Sequence, residues 1–156
     1  MYTRDRGDRL TWVHDQIYAA GGDHIPKDWA AFHDQTGISA ILHLSPNVPA
    51  TFQGPTPIAY LWMKVEREQQ ANLADRWAAG SFLQTCVTAN RKVLIHSNSG
   101  RHRVRWIFVS YLIISGRTVK GSISEVEEKP WLSPYHTELE EWHTFFEYVK
   151  ARSTNT

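Results

Sequence analysis

The chain has one cysteine, Cys86, two methionines, and no apolar run near the roughly 18–20 residues that a membrane-spanning helix requires. A lone cysteine excludes an internal disulfide, and Met1-Tyr2-Thr3-Arg4-Asp5-Arg6 is not followed by the apolar stretch of a secretory signal. A cytoplasmic location is therefore expected. A dominant charge is also missing. Seventeen basic and sixteen acidic side chains leave a formal net charge of +1, so any preference for anions must be local rather than a general pull toward nucleic acid or membrane. Repeats and low-complexity segments are absent. The 42% hydrophobic content of 156 residues suffices for one core, so a single domain over residues 1–156 is expected, with ends 1–8 and 152–156 frayed.

What is present alternates between strand and helix patterns. Leu10–Val13 and Gln16–Ala19 are expected as short strands, with Gly21-Gly22 breaking the second. Pro26 suits the start of a helix running to about Gln35, which Gly37 closes. Ser39–Leu44 follows as a buried strand, and the four prolines in 45–57 exclude regular structure there. Ala59–Val65 is the next strand, and residues from Asn72 to Asn90 place Leu73, Trp77, Gly80, Leu83 and Val87 at helical spacing. A strand, helix, strand crossover would make Ala59–Val65 and Lys92–His96 parallel neighbours in one sheet. Further helices are expected over Arg103–Ser115, Thr118–Glu127 and Pro134–Lys150, the last presenting Leu139, Trp142, Phe145, Phe146 and Val149 to the core. The class is α/β, a central sheet flanked by helices. The seven tryptophans are spread over every element, as core packing requires.

The most informative run is Val93-Leu94-Ile95-His96-Ser97-Asn98-Ser99-Gly100-Arg101-His102-Arg103-Val104. A buried strand delivers the chain to a short polar turn, Gly100 frees that turn from Cβ constraints, and Arg103 opens the apolar helix that follows. Backbone N–H groups in such a turn point inward, and the next helix adds unpaired donors at its positive end. Arg103 can add a planar fork of donors to two oxygens of a phosphoryl group, which a lysine could not match.

The spacing His96, Ser97, Gly100, Arg103 resembles the His-Cys-x-x-Gly-x-x-Arg signature of cysteine-dependent protein tyrosine phosphatases, especially the small dual-specificity group. Ser97 stands at the cysteine position. Tyr60-Leu61-Trp62-Met63-Lys64-Val65, the helical segment 72–90 and Trp106-Ile107-Phe108-Val109-Ser110-Tyr111-Leu112 follow that family's order, and nearly the whole chain is covered. The resemblance implies a dual-specificity phosphatase fold with a phosphate-binding loop between strand and helix. It implies that Ser97, Asn98, Ser99, Gly100, Arg101, His102 and Arg103 bind phosphate, that Arg103 and position 97 serve catalysis, and that His96 points away from the phosphate and orders the loop.

Three departures bear on turnover. In such enzymes the loop and its arginine lower the thiol pKa from about 8.5, so that a thiolate attacks phosphorus. A serine hydroxyl is a far weaker acid and needs a neighbouring base, and neither Ser97 nor Ser99 lies in a Gly-x-Ser-x-Gly elbow. The resemblance puts the general-acid aspartate at or next to Arg67, leaving Glu66 or Glu68 as substitutes with longer arms. Val104 stands where the family commonly has a hydroxyl. Together these predict a pseudophosphatase that binds phosphate or a phosphorylated ligand without turning it over. The alternative is an active phosphatase carried as a Cys→Ser97 trapping variant, and a third class is a scaffold that ignores the pocket.

Other residues carry less. Arg101 and His102, with Arg91, Lys92 and Arg105, would form a local basic patch suited to a phosphorylated protein or a small polyanionic ligand such as a phosphoinositide, a polyphosphate or an RNA end. The aromatics are not interleaved with these charges, so nucleic-acid binding is not expected. No cofactor or metal is expected: none of the eight histidines forms a tight pair with a cysteine or carboxylate, and His136 and His143 share one face of the last helix. Cys86 reads as a packing residue and Trp131 as a helix-end aromatic.

Overall fold

The computed structural model describes residues 10–22, 28–47, 49–52, 54–130 and 132–154, without the side chains of Arg101 and Thr154. Five strands form one sheet in the order β1-β2-β5-β3-β4: β1 (Thr11–His14), β2 (Ile17–Gly21), β3 (Ile38–Leu44), β4 (Ala59–Met63) and β5 (Lys92–Ser97). β1 runs antiparallel to β2, and all other pairings are parallel.

The expected pairing of Ala59–Val65 with Lys92–His96 is corrected: β3 lies between them. Burial explains the order. Every residue of β3 is buried, as a strand covered on both faces and both edges must be, whereas all of β4 but Met63 is half-buried or exposed. The crossover rule gave the parallel sense correctly, but the β4-to-β5 connection steps over one strand.

Alternation along the strands feeds two cores. Ile41 and Leu94 face α1 (Trp29–Thr36), packing with Ala20 and Trp29. Ala40, Leu42, Val93 and Ile95 join the larger core under α2 (Leu73–Thr88), α3 (Arg105–Ile114), α4 (Val119–Glu127) and α5 (Leu139–Thr154). α3 is its centre. Trp106 through Ile113 are all buried, so this helix has no solvent face.

Local signals set most helix ends. Asp28 caps α1 through Ala31 N–H, and Gly37 closes it at φ 78°. Pro26, expected at this helix start, lies outside the described residues. Asn72 and Asp75 exchange side-chain to backbone bonds at the start of α2, at 2.8 and 3.1 Å. Thr118 caps α4.

Two expectations about the last helix are corrected. It begins at Leu139 rather than Pro134, because Tyr135 and Thr137 turn inward to bond the Glu68 carboxylate, and Thr137 Oγ1 also accepts from Trp142 Nε1. His136 therefore precedes the helix and shares no helical face with His143. At its other end α5 runs to Thr154, beyond the expected Lys150, and the Arg152 guanidinium lies over the rings of Tyr148 and Trp77 at 4.3 and 5.3 Å.

α2 and α3 approach closely at Gly80. A Cβ there would stand 2.7 Å from Ile114 Cδ1 and 2.8 Å from the Ser110 backbone carbon. Gly80→Ala should part the two helices and destabilise the fold by about 1–3 kcal/mol. Urea unfolding should show a lower midpoint at unchanged slope.

Candidate functional site

Parallel strands that end together create the site. Leu44 pairs with Ser97 on one side and Met63 on the other, and Gly21 pairs with Ser97 from β2. The segments leaving these strands start from one edge, where open α/β sheets bind their ligands. The turn bearing Glu66, Arg67 and Glu68 thus departs two strand spacings, about 10 Å, from Ser97.

β5 leads into a tight turn. Gly100 N–H donates to Ser97 O at 3.1 Å, Ser99 N–H donates to Ser97 Oγ at 3.2 Å, and Arg103 N–H donates to Gly100 O at 3.1 Å. Gly100 has φ 111° and ψ 160°, a conformation that any Cβ would strain. The α-helix opens two residues later than expected: a 3-10 turn at Arg101–Val104 precedes α3, as is common at helix starts. Asn98, Ser99 and His102 are exposed, Arg103 is half-buried, and Ser97 is buried. The Arg101 side chain lies outside the described residues.

The position-97 side chain sits where a loop amide points at it. A serine hydroxyl there accepts one bond, and a thiol in the same place would meet the donor that stabilises a thiolate. Cys86 is the opposite case: buried in the main core on α2, its thiol is pushed up to about 11, which suits packing and not nucleophilic attack.

Glu68 is committed elsewhere. Its carboxylate accepts from Tyr135 OH at 2.9 Å and from Thr137 Oγ1, so it is tied to the segment before α5. Burial, then the Glu68 carboxylate, raise the Tyr135 phenol above its usual range and keep it a donor. Glu66 and Arg67 form the turn whose N–H groups both donate to Gln70 Oε1 at 3.0 Å, with Glu66 half-buried and Arg67 exposed. Val104 is a core residue, 1% exposed, so apolar packing accounts for the missing hydroxyl.

The expected basic patch is corrected. Lys92 starts β5 and Ser97 ends it, about 16 Å apart, and Lys92 Nζ donates to Thr36 O beside the Tyr18 ring. Arg91 precedes Lys92 at that far end. Arg105 is structural: Nε donates to His102 O at 2.9 Å, NH1 to Leu132 O and Pro134 O at 3.0 and 2.5 Å, and the guanidinium covers the Tyr135 ring. Trp131 lies outside the described residues.

One partner escaped sequence reasoning. His43 Nδ1 is 3.1 Å from His96 Nδ1, the rings are stacked 5.1 Å apart, and both are at most 3% exposed. Each stands one residue before the end of its strand, the signal that would have paired them. Burial lowers the His43 pKa to about 4.

No protein-family model and no curated protein matches the chain. Solved structures resemble it over most of both chains. A mouse putative dual specificity phosphatase complexed with zinc tungstate shares 12% identity at TM-score 0.73, covering 98% of this chain and 94% of that one. The human tyrosine phosphatase-like serine/threonine/tyrosine-interacting protein shares 15% at TM-score 0.68, covering 94% and 99%. PTPMT1 in complex with PI(5)P shares 13% at TM-score 0.72, also covering 94% and 99%. At such identities the likeness establishes the fold: this is a dual-specificity phosphatase-like α/β domain.

His43 links stability to pH. Its folded pKa lies below the ordinary 6.5, so between pH 6.5 and 4 the unfolded chain binds more protons than the folded one. The stabilisation is full above pH 6.5 and is lost as pH falls toward 4, by about 3 kcal/mol at most. Chemical unfolding at pH 7.5 and 4.5 should show a larger acid loss in the native chain than in His43→Asn.

Proposed function

We propose that this phosphatase-fold domain binds phosphate or a phosphorylated ligand through the His96–Arg103 loop and, with serine at position 97, does not hydrolyse it. The observation that carries this reading is the Ser99 amide directed at the Ser97 side chain in a turn that needs the Gly100 conformation. One amide aimed at that side chain, in a turn shaped by a glycine, suits an anion. Ser97, Asn98, Ser99, Gly100, Arg101, His102 and Arg103 line the proposed cradle, His96 orders it, and Arg103 supplies the guanidinium fork. The mouse neighbour's complex with zinc tungstate and the PTPMT1 complex with PI(5)P support an anionic ligand as the class.

Turnover is a separate matter. Ser97 lacks an activating base in the proposed arrangement, Glu68 is held by Tyr135 and Thr137, and Glu66 remains the acid candidate. The pseudophosphatase reading follows, with a phosphorylated protein or a small phosphorylated molecule as partner. Among the described residues no helix is long and apolar enough to cross a membrane, and the free buried thiol of Cys86 fits the proposed cytoplasmic location.

A second reading, an active enzyme carried as its Ser97 variant, is favoured by the same amide, since it is placed to stabilise a thiolate. In Ser97→Cys, the new thiol should react with iodoacetamide at neutral pH while Cys86 stays inert. Hydrolysis of an aryl phosphate by Ser97→Cys, reduced by Glu66→Gln, would establish the trap reading; an inactive Ser97→Cys establishes the pseudophosphatase. Arg103→Ala should weaken calorimetric binding of inorganic phosphate or a phosphotyrosine peptide by about tenfold or more. Binding indifferent to Arg103 would overturn the anion site and leave the scaffold.

A further inference from the structure

We infer that His43 is a positioning residue for the 97–103 loop, acting through His96, whose tautomer and ring plane it fixes from the neighbouring strand. This rests on the anion-binding reading and names a residue that the loop motif does not contain.

The geometry is restrictive. Two imidazole nitrogens 3.1 Å apart form a hydrogen bond only if one carries a proton and the other offers a lone pair. The ring with Nδ1–H then has a bare Nε2, and its partner must be the Nε2–H tautomer. The neutral pair therefore has complementary tautomers. A state with both Nδ1 atoms protonated sets two donors against each other, and one with neither sets two lone pairs together.

The rings have little room to change. His43 and His96 are directly paired between β3 and β5, Ala20 flanks His96 from β2, Trp62 flanks His43 from β4, and the planes are 26° apart. His96 is covalently joined to Ser97, whose carbonyl and hydroxyl receive the Gly100 and Ser99 amides. Turning the His96 ring would disturb the residue on which the turn closes.

Among the described residues, the ionisable groups of the elements packed against the pair are few. On α1, Asp28, His33 and Asp34 are exposed; Tyr18 on β2 and Tyr60 on β4 are the ionisable groups of those strands; the 45–57 loop has no ionisable side chain. Asp23, His24 and Lys27 lie outside the described residues. On the loop itself His102 and Arg103 remain, with the Arg101 side chain outside the described residues, and the exposed His102 is replaced in the test so that only the paired histidines bear on it.

Deleting the His43 ring takes away the Nδ1 partner and opens space beside His96. Loss of the Nδ1 partner frees the His96 ring to change tautomer or to gain a proton at the base of the loop. Sulfate is a useful probe because its charge is constant over pH 5.5–8.

Sulfate affinity should be measured calorimetrically in the native chain and in a His102→Gln reference, whose lower affinity from the lost cradle contact is the baseline for the His43 variants. With His43 present the affinity should be flat across pH 5.5–8. In His43→Ala it should fall roughly three- to tenfold at pH 8 and rise again on acidification. His43→Asn, which can still bond the His96 nitrogen, should restore both level and flatness. Ring ¹⁵N spectra of the native chain should show one Nδ1–H and one Nε2–H tautomer among His43 and His96, neither titrating between pH 5.5 and 8.

Two Nε2–H tautomers, or ordinary titration of either ring, would overturn the inference, as would Arg103-dependent sulfate binding that ignores His43→Ala. Sulfate binding absent from the native chain, or indifferent to Arg103→Ala, would bring down the anion reading and this inference with it.

Discussion

The fully buried strand β3 is the constraint on which the rest depends. With β5 on one edge and β4 on the other, and a core on each face, it has no exposed residue and no freedom of register. That register aligns Leu44 with both Ser97 and Met63, so the loop after β5 and the turn after β4 leave from one line. It also sets His43 opposite His96. A shift of one residue in β3 would point His43 into the larger core, away from His96, and break the alignment of Leu44 with Ser97 and Met63.

A second set of contacts ties the helices to that edge. Arg105 joins the 3-10 turn at His102 to the carbonyls of Leu132 and Pro134, and its guanidinium lies over Tyr135. Tyr135 holds Glu68, whose backbone carbonyl accepts from the buried Arg76, and Arg76 lies 4.3 Å over the ring of Trp142. Trp142 closes the circuit through Thr137, which also bonds Glu68. Buried polar groups joined in a network fix one arrangement, because each bond lost strands another group. Glu68 thus serves as a keystone between α2, the approach to α5 and the start of α3.

Much of the fold was legible because its signals are local. The buried run of β3, the helical spacing of α2 and the Gly37 stop each act within a few residues. The parts that were missed depend on contacts far apart in sequence. Strand order turns on which strand has both faces and both edges covered, and periodicity alone does not reveal it. The late start of α5 follows from Glu68, more than 65 residues away, drawing Tyr135 and Thr137 out of helical geometry. At the site the tight turn after β5 was legible from its residues, but the basic patch was not, since proximity in sequence placed Lys92 beside a turn from which a six-residue strand separates it. His43 was invisible for the converse reason, being 53 residues from its partner.

The three departures from the phosphatase motif also carry unequal weight. Val104 is accounted for by packing alone, because a polar hydroxyl in its buried place would require a partner. If the acid position falls at Arg67 as the resemblance implies, the sign of charge there is reversed, and a cation attracts an anionic ligand in its ground state while offering no proton to a leaving alkoxide at neutral pH. On the proposed reading Ser97 removes the nucleophile, yet the amide that faces the position stays in place. On that reading, the retained groups act equally on a bound anion and on any transition state, and, Glu66 aside, the groups that would act only in the transition state have been lost or engaged elsewhere. Interactions that favour both states equally give affinity without rate, so a loop of this kind would hold a phosphorylated ligand rather than consume it.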